Sequence, residues 1–207
     1  MNLETLLTFI IASSVLSIAP GPDNIFVLTQ SALHGRRAGL LITLGLCSGL
    51  VLHSAAVALG VATIFMVSNT AFTLLKFIGA AYLIYLAWQA FKASSSQLNI
   101  QQSPSLSAAI LYRRGVIMNL TNPKVAIFFL AFLPQFTSPE AGTLGLQLMS
   151  LGGIFIVVAL IIFSLIAVLA DFISQGFKQS NKAQQLINKI AGGIFLGLAL
   201  KLAYTSR

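Results

Sequence analysis

Ser17-Ile18-Ala19-Pro20-Gly21-Pro22-Asp23-Asn24 breaks an apolar run with two prolines, a glycine and an acid, and Asn119-Leu120-Thr121-Asn122-Pro123-Lys124 breaks a second one with a proline and a base. Proline lacks an N–H, and its ring clashes with the carbonyl four residues earlier. Pro20 and Pro22 therefore free the carbonyls of Leu16 and Ile18, and Pro123 frees that of Asn119. In lipid a freed carbonyl must find a partner, so both breaks should face protein, water or a ligand.

The rest of the chain makes lipid the relevant solvent. Of 207 residues, 57% are apolar and only 8% charged, whereas a soluble domain carries about a quarter charged residues. Six apolar runs are long enough, at about 20 residues each, to cross a hydrocarbon core: 4–30, 39–66, 71–91, 114–135, 145–172 and 187–204. The expected fold is all-α, a polytopic membrane protein. Its single transmembrane domain, 1–207, divides into a three-helix half (1–92), a cytoplasmic loop rich in Ser, Gln and Asn (93–112) and a second three-helix half (113–207).

Twelve Lys and Arg stand against Glu4, Asp23, Glu140 and Asp171. Nucleic-acid binding would need a polar scaffold to display those bases. Here they fall between the apolar runs, as the positive-inside rule requires of a membrane protein. The first, third and fifth connections hold Arg36, Arg37, Lys92, Arg113, Arg114, Lys178, Lys182 and Lys189, against Lys76, Lys201 and Arg207 on the other side. Both termini are thus expected outside. No base precedes the first apolar run, which reads as an uncleaved helix.

Three helices per half is an odd number, so the halves would insert with opposite topology, as two inverted repeats. Lys76-Phe77-Ile78-Gly79-Ala80-Ala81 and Lys189-Ile190-Ala191-Gly192-Gly193-Ile194 open corresponding helices. The two breaks also correspond, and interrupted segments at matching places in two halves point to a transporter site.

Asn122-Pro123 reads as the N-cap and first residue of a restarted helix. Gly21-Pro22 restarts the first helix similarly, with Gly21 free to take unusual backbone angles. Half-helix N-termini favour a carboxylate, while freed carbonyls and Asp23 favour an ammonium, so the pair suits a zwitterion. Pro20, Gly21, Pro22, Asp23, Asn24, Asn119, Asn122, Pro123 and Lys124 are the candidate substrate-binding residues. Asp23 and Lys124 would each cost about 2.5–3.5 kcal/mol at mid-helix, which argues for a substrate or proton role, a structural ion pair, or both. Asp23 and the mid-span His53 are the proton-coupling candidates; His53 equally suits a hydrogen bond between helices. Asp171, near a helix end, reads as structural. Gly45-x-x-x-Gly49 reads as a packing face.

Cys47 is the only cysteine, and His34 and His53 are the only histidines, so no disulfide, metal site or other cofactor is expected. The chain carries no nucleophile–base set or phosphate loop, which argues against an enzyme or an ATP-driven pump.

The two breaks, together with Gly35-Arg36-Arg37-Ala38-Gly39, Lys76-Phe77-Ile78-Gly79-Ala80-Ala81-Tyr82-Leu83 and Phe132-Leu133-Pro134-Gln135-Phe136, resemble the lysine-exporter superfamily, and within it the threonine and homoserine (lactone) efflux branch. The resemblance covers essentially the whole chain. It implies a multi-pass protein of the bacterial inner membrane that exports amino acids or their derivatives, driven by the proton-motive force.

The expected function is therefore a secondary exporter of small or neutral amino acids. It would exchange them for protons by alternating access, with lipid, substrate and protons as partners and a homodimer compatible with its size. The competing class is a non-transporting membrane scaffold or assembly factor.

Overall fold

The computed structural model describes residues 3–19, 21–61, 69–92, 106–138 and 142–174, together with Lys189, Gly193, Leu196, Gly197, Ala199, Leu200 and Ala203. Pro20 and most of the expected sixth span lie outside the described residues, as does most of the central loop. Among the described residues the chain is all helical, without a strand. Helices α1 (Leu3–Ile18) and α2 (Pro22–His34) flank the first break. Helix α3 (Arg36–Ala56) runs into one wide π turn, Val57–Val61, and α4 spans Asn69–Lys92. Helices α5 (Ala108–Thr121) and α6 (Pro123–Ile127) flank the second break. Helix α6 continues through a π turn, Phe128–Phe132, and a 3₁₀ turn, Leu133–Phe136, before α7 (Leu144–Ser174).

Two uninterrupted segments, Arg36–Gly60 and Leu144–Phe172, are long and apolar enough to cross a membrane. At about 1.5 Å per residue each exceeds a core roughly 30 Å thick. The α1–α2 pair bends by 59° and the α5–α6 pair, extended to Phe136, by 50°; each pair is long and apolar enough to count as one broken span. Both expected interruptions are thus real bends. Helix α5 starts at Ala108, inside the expected loop, and puts Arg113 and Arg114 on its exposed face. Their long stems let these charges reach toward an interface from a helical position.

Glycine sets how the helices pack. A Cβ on Gly45 of α3 would lie 2.2 Å from the Tyr112 carbonyl of α5, and one on Gly115 would lie 2.4 Å from the Ile42 carbonyl. Gly49 meets the Asn119 side chain in the same way, at 2.6 Å. The pairs 45/115 and 49/119 advance together, so α3 and α5 run parallel. Against α7 the order reverses: Gly39 approaches Ala167, and Gly152 approaches Ser54. Helix α7 is therefore antiparallel to α3. The small-residue face expected at Gly45 and Gly49 is a packing face, and Gly115 is its counterpart.

Helices α2 and α3 join at Gly35. Its φ of 81° ends α2, and its N–H donates to the Ser31 carbonyl at 2.9 Å. An aromatic core of Phe9, Phe128, Phe129, Phe132, Phe136 and Phe155 joins α1, the segment after α6, and α7. Neighbouring rings there are 4.9–6.4 Å apart.

Candidate functional site

The two breaks meet. Lys124, the second residue of α6, extends its Nζ to 3.3 Å from Asp23 Oδ1, the second residue of α2. Both side chains are at most 4% exposed. The same ammonium donates to the carbonyls of Leu16 and Ala19, at 3.1 and 3.2 Å, and approaches Asn24 Oδ1 at 3.4 Å. Four oxygens thus cage one cation. Helix geometry favours the charges where they stand: the carbonyls close the C-terminal end of α1, its negative pole, and Asp23 sits in the first turn of α2, its positive pole.

The broken helix makes the cage. Among the carbonyls freed in α1, that of Leu16 goes to Lys124. Asn24 Nδ2 donates to those of Ser17 (2.6 Å) and Ile18 (3.4 Å). The backbone N–H of Asn24 donates to Asp23 Oδ1 at 3.1 Å, fixing the carboxylate. Gly21 has φ −164° and ψ 173°, an extended conformation open to any residue. Its glycine is therefore needed for space rather than for backbone freedom. A Cβ there would lie 2.8 Å from Asp23 Oδ1 and 3.0 Å from Lys124 Nζ.

At the second break Asn122 caps α6 as expected: its Oδ1 accepts the Lys124 backbone N–H at 3.0 Å. The carbonyl of Asn119, freed by Pro123, lies 3.3 Å from Nε2 of His53 on α3. His53 also packs 5.7 Å from the Phe129 ring. It serves the second break and makes no bond to the ion pair.

Asp23, Asn24, Asn119, Asn122 and Lys124 are all buried at the breaks. Pro22 and Pro123 are exposed; they create the bends without lining the cage. Pro20 is outside the described residues. Sequence reasoning expected a ligand's ammonium on the freed carbonyls, but Lys124 already fills that place, because its four-carbon stem spans the gap between the halves. It also missed Ala19 as an acceptor and Tyr82. With Gly79, Ile127, Phe128, Ala131 and Phe132, Tyr82 lines a narrow groove beside Lys124. It missed as well Ser13 and Ser17 of α1, whose buried Oγ atoms have no hydrogen-bond partner; Oδ1 of Asn119 and Nδ2 of Asn122, residues the sequence did nominate, are likewise buried without one. Ser13 and Ser17 are one helical turn apart, a spacing that could have drawn attention to them. Among the described residues no cluster of His, Cys, Asp and Glu could hold a metal ion.

Similarity to known proteins extends along nearly the whole chain. A homoserine/homoserine lactone efflux protein of Salmonella typhimurium is 34% identical over 203 residues, 98% of either chain. An uncharacterized membrane protein of Bacillus subtilis, YrhP, is 31% identical over 96% of this chain and 98% of its own. A leucine efflux protein of Klebsiella pneumoniae is 28% identical over 95% of this chain and 93% of its own. No solved structure matches the chain significantly. Residues 14–206 match the LysE type translocator family, and the chain, a membrane protein, belongs to it.

Proposed function

We propose that the protein is a secondary exporter of amino acids or their derivatives, small or neutral and homoserine-like, in the inner membrane of a bacterium. The observation that carries this reading is the buried cage at the junction of the two breaks, which joins a carboxylate, an ammonium and freed carbonyls in one place. A zwitterion needs each of those functions, and unpartnered Ser13, Ser17, Asn119 and Asn122 atoms add donors and acceptors for its polar groups. The names of the Salmonella and Klebsiella relatives support the same substrate class.

In this reading the chain has six spans, built as two inverted halves (1–92 and 113–207) around a cytoplasmic loop, with both termini outside. The parallel course of α3 and α5, and the antiparallel course of α7, suit that order of spans. Export proceeds by alternating access, one half rocking against the other about Gly21, Asp23, Asn24, Asn119, Asn122 and Lys124, with Pro20, Pro22 and Pro123 as the bends. Proton antiport drives it, with Asp23 and His53 handling the proton. A homodimer would give the rocking halves a wider support.

The test is efflux of radiolabelled homoserine, threonine and leucine from proteoliposomes, with and without a pH gradient. Gradient-stimulated efflux of at least one is expected. No flux of any of them from correctly folded protein would refute the reading.

A further inference from the structure

Among the described residues six buried polar atoms lack a hydrogen-bond partner, and four of them lie on the first broken helix. They come in two pairs. Ser13 Oγ and Ser17 Oγ sit on α1 before the break, and Gln30 Oε1 and His34 Nε2 sit on α2 beyond it. The members of each pair are four residues apart, so they share a helix face one turn from each other.

Leaving such atoms unpaired destabilises a fold, and a serine in an apolar helix has a simple remedy. Ser14, Ser31, Ser48 and Ser54 each donate to the carbonyl four residues back, at 2.7–2.9 Å. Ser13 and Ser17 do not make that bond, although both are buried.

Both pairs line up with the cage. Ser17 adjoins it: its own carbonyl is held by Asn24, and the Leu16 carbonyl before it holds Lys124. Ser13 follows one turn away. One turn further, Phe9 packs 5.1 Å from the Phe136 ring and 6.4 Å from that of Phe128. On α2, Asp23, Val27, Gln30 and His34 recur every three or four residues and form one face. Asp23 belongs to the cage, Val27 and Gln30 are buried, and His34 stands at the turn made by Gly35. A line of polar groups thus runs from the α2–α3 turn, through the ion pair, to an aromatic contact midway along α1.

Resting on the export reading above, we infer that this line is the substrate's path through the protein. Gln30 and His34 receive the amino acid's polar groups on the cytoplasmic side of the cage, and Ser17 and Ser13 receive them on the outer side. A wholly apolar lining would reject a zwitterion, because its charges would lose their hydrogen bonds on entry. Atoms without a partner while the halves are packed together gain one, in substrate and water, when the halves part. The contact of Phe9 with Phe136 and Phe128 closes the outer end of the path in this structure. Phenyl rings carry no donor or acceptor, so they seal it without binding what passes.

The test places single cysteines in the full chain, in proteoliposomes and in a Cys47→Ala background, with a small water-soluble thiol reagent applied to both faces of the membrane. Ser13→Cys, Ser17→Cys, Gln30→Cys and His34→Cys should react at least tenfold faster than Ser14→Cys and Ser31→Cys, whose hydroxyls are already paired. Whichever of homoserine, threonine and leucine the wild type exports should slow the four reactions several-fold. Phe136→Ala should speed labelling of Ser13→Cys and leave Gln30→Cys as it was. Ser13→Ala and Ser17→Ala carry the same test without a thiol: KM for efflux should rise several-fold while the melting temperature holds or rises. A lower melting temperature with unchanged KM would make the serines structural and overturn their assignment. Labelling no faster than the controls, or unprotected by an amino acid that the wild type exports, would overturn the path. A wild type that moves none of the three amino acids would refute the export reading, and the path with it.

Discussion

Nε2 of His53 on α3 lies 3.3 Å from the carbonyl oxygen of Asn119 on α5, the carbonyl that Pro123 strips of its helical partner. That oxygen also accepts the backbone N–H of Asn122 at 3.1 Å, so His53 adds a contact from a second helix, level with the close approach of Gly49 and Asn119. One hydrogen bond between helices thus ties α3 to the bend at the point where Pro123 interrupts the helical ladder.

His53→Leu removes this donor and should destabilise the protein by about 0.5–1.7 kcal/mol, the range for such bonds in membranes. His53→Gln can still donate to Asn119. Its melting temperature in detergent should stay within a few degrees of wild type, while pH-driven efflux falls several-fold if His53 handles protons. Equal efflux from His53→Gln and wild type would leave His53 a purely structural role.

Asp23 and Lys124 should be far more costly to separate than to remove together. Breaking a buried pair from one side costs about 3–5 kcal/mol, because the remaining charge has no partner. Asp23→Asn and Lys124→Met are each expected to show a loss of that order in denaturation of the purified protein. The double variant should recover at least half of the summed loss. Strictly additive losses would show that the pair is not coupled.

The α3–α5 contact should tolerate no added volume. Gly45→Ala and Gly115→Ala would push a methyl group onto a backbone carbonyl of the facing helix. Overpacking of this kind costs about 1–3 kcal/mol, and Leu at either position should prevent folding. Gly153 is the control, since a Cβ there meets nothing within 4 Å. Gly153→Ala should raise stability by about 0.5–1 kcal/mol through helix propensity. Thermal unfolding of the three alanine variants checks the order.

Pro123→Ala tests what the bend does. Alanine restores a backbone N–H and favours a continuous helix, but it frees the unfolded chain, so stability should fall by at least about 0.4–1 kcal/mol. Straightening the 50° bend would carry Lys124 away from the Leu16 and Ala19 carbonyls, so efflux should fall at least tenfold. Asn122→Ala should also lose about 1 kcal/mol as its cap on the Lys124 N–H disappears. Paired melting and efflux measurements distinguish the two, and undiminished transport by Pro123→Ala would show that the bend is dispensable.

Much of this protein was legible in the sequence because it depends on local chemistry. Proline at 22 and 123 bends a helix wherever the chain goes, and Asn122-Pro123 starts one, so the breaks and the cap stand where the residues put them. Long apolar runs with few charges require lipid, and the Gly45-x-x-x-Gly49 spacing requires a close neighbour. None of these readings needs to know what lies across the bundle. Tertiary structure alone decided which neighbour answers Gly45, that α3 and α5 run parallel, that Gly21 is glycine for lack of space, and that the prolines themselves face outward. It also decided that the freed carbonyl of Leu16 is filled by Lys124, a residue 108 positions away. The physical reason is reach: a carbonyl's need for a donor is fixed by its own proline, but which donor meets it depends on where folding brings a flexible side chain.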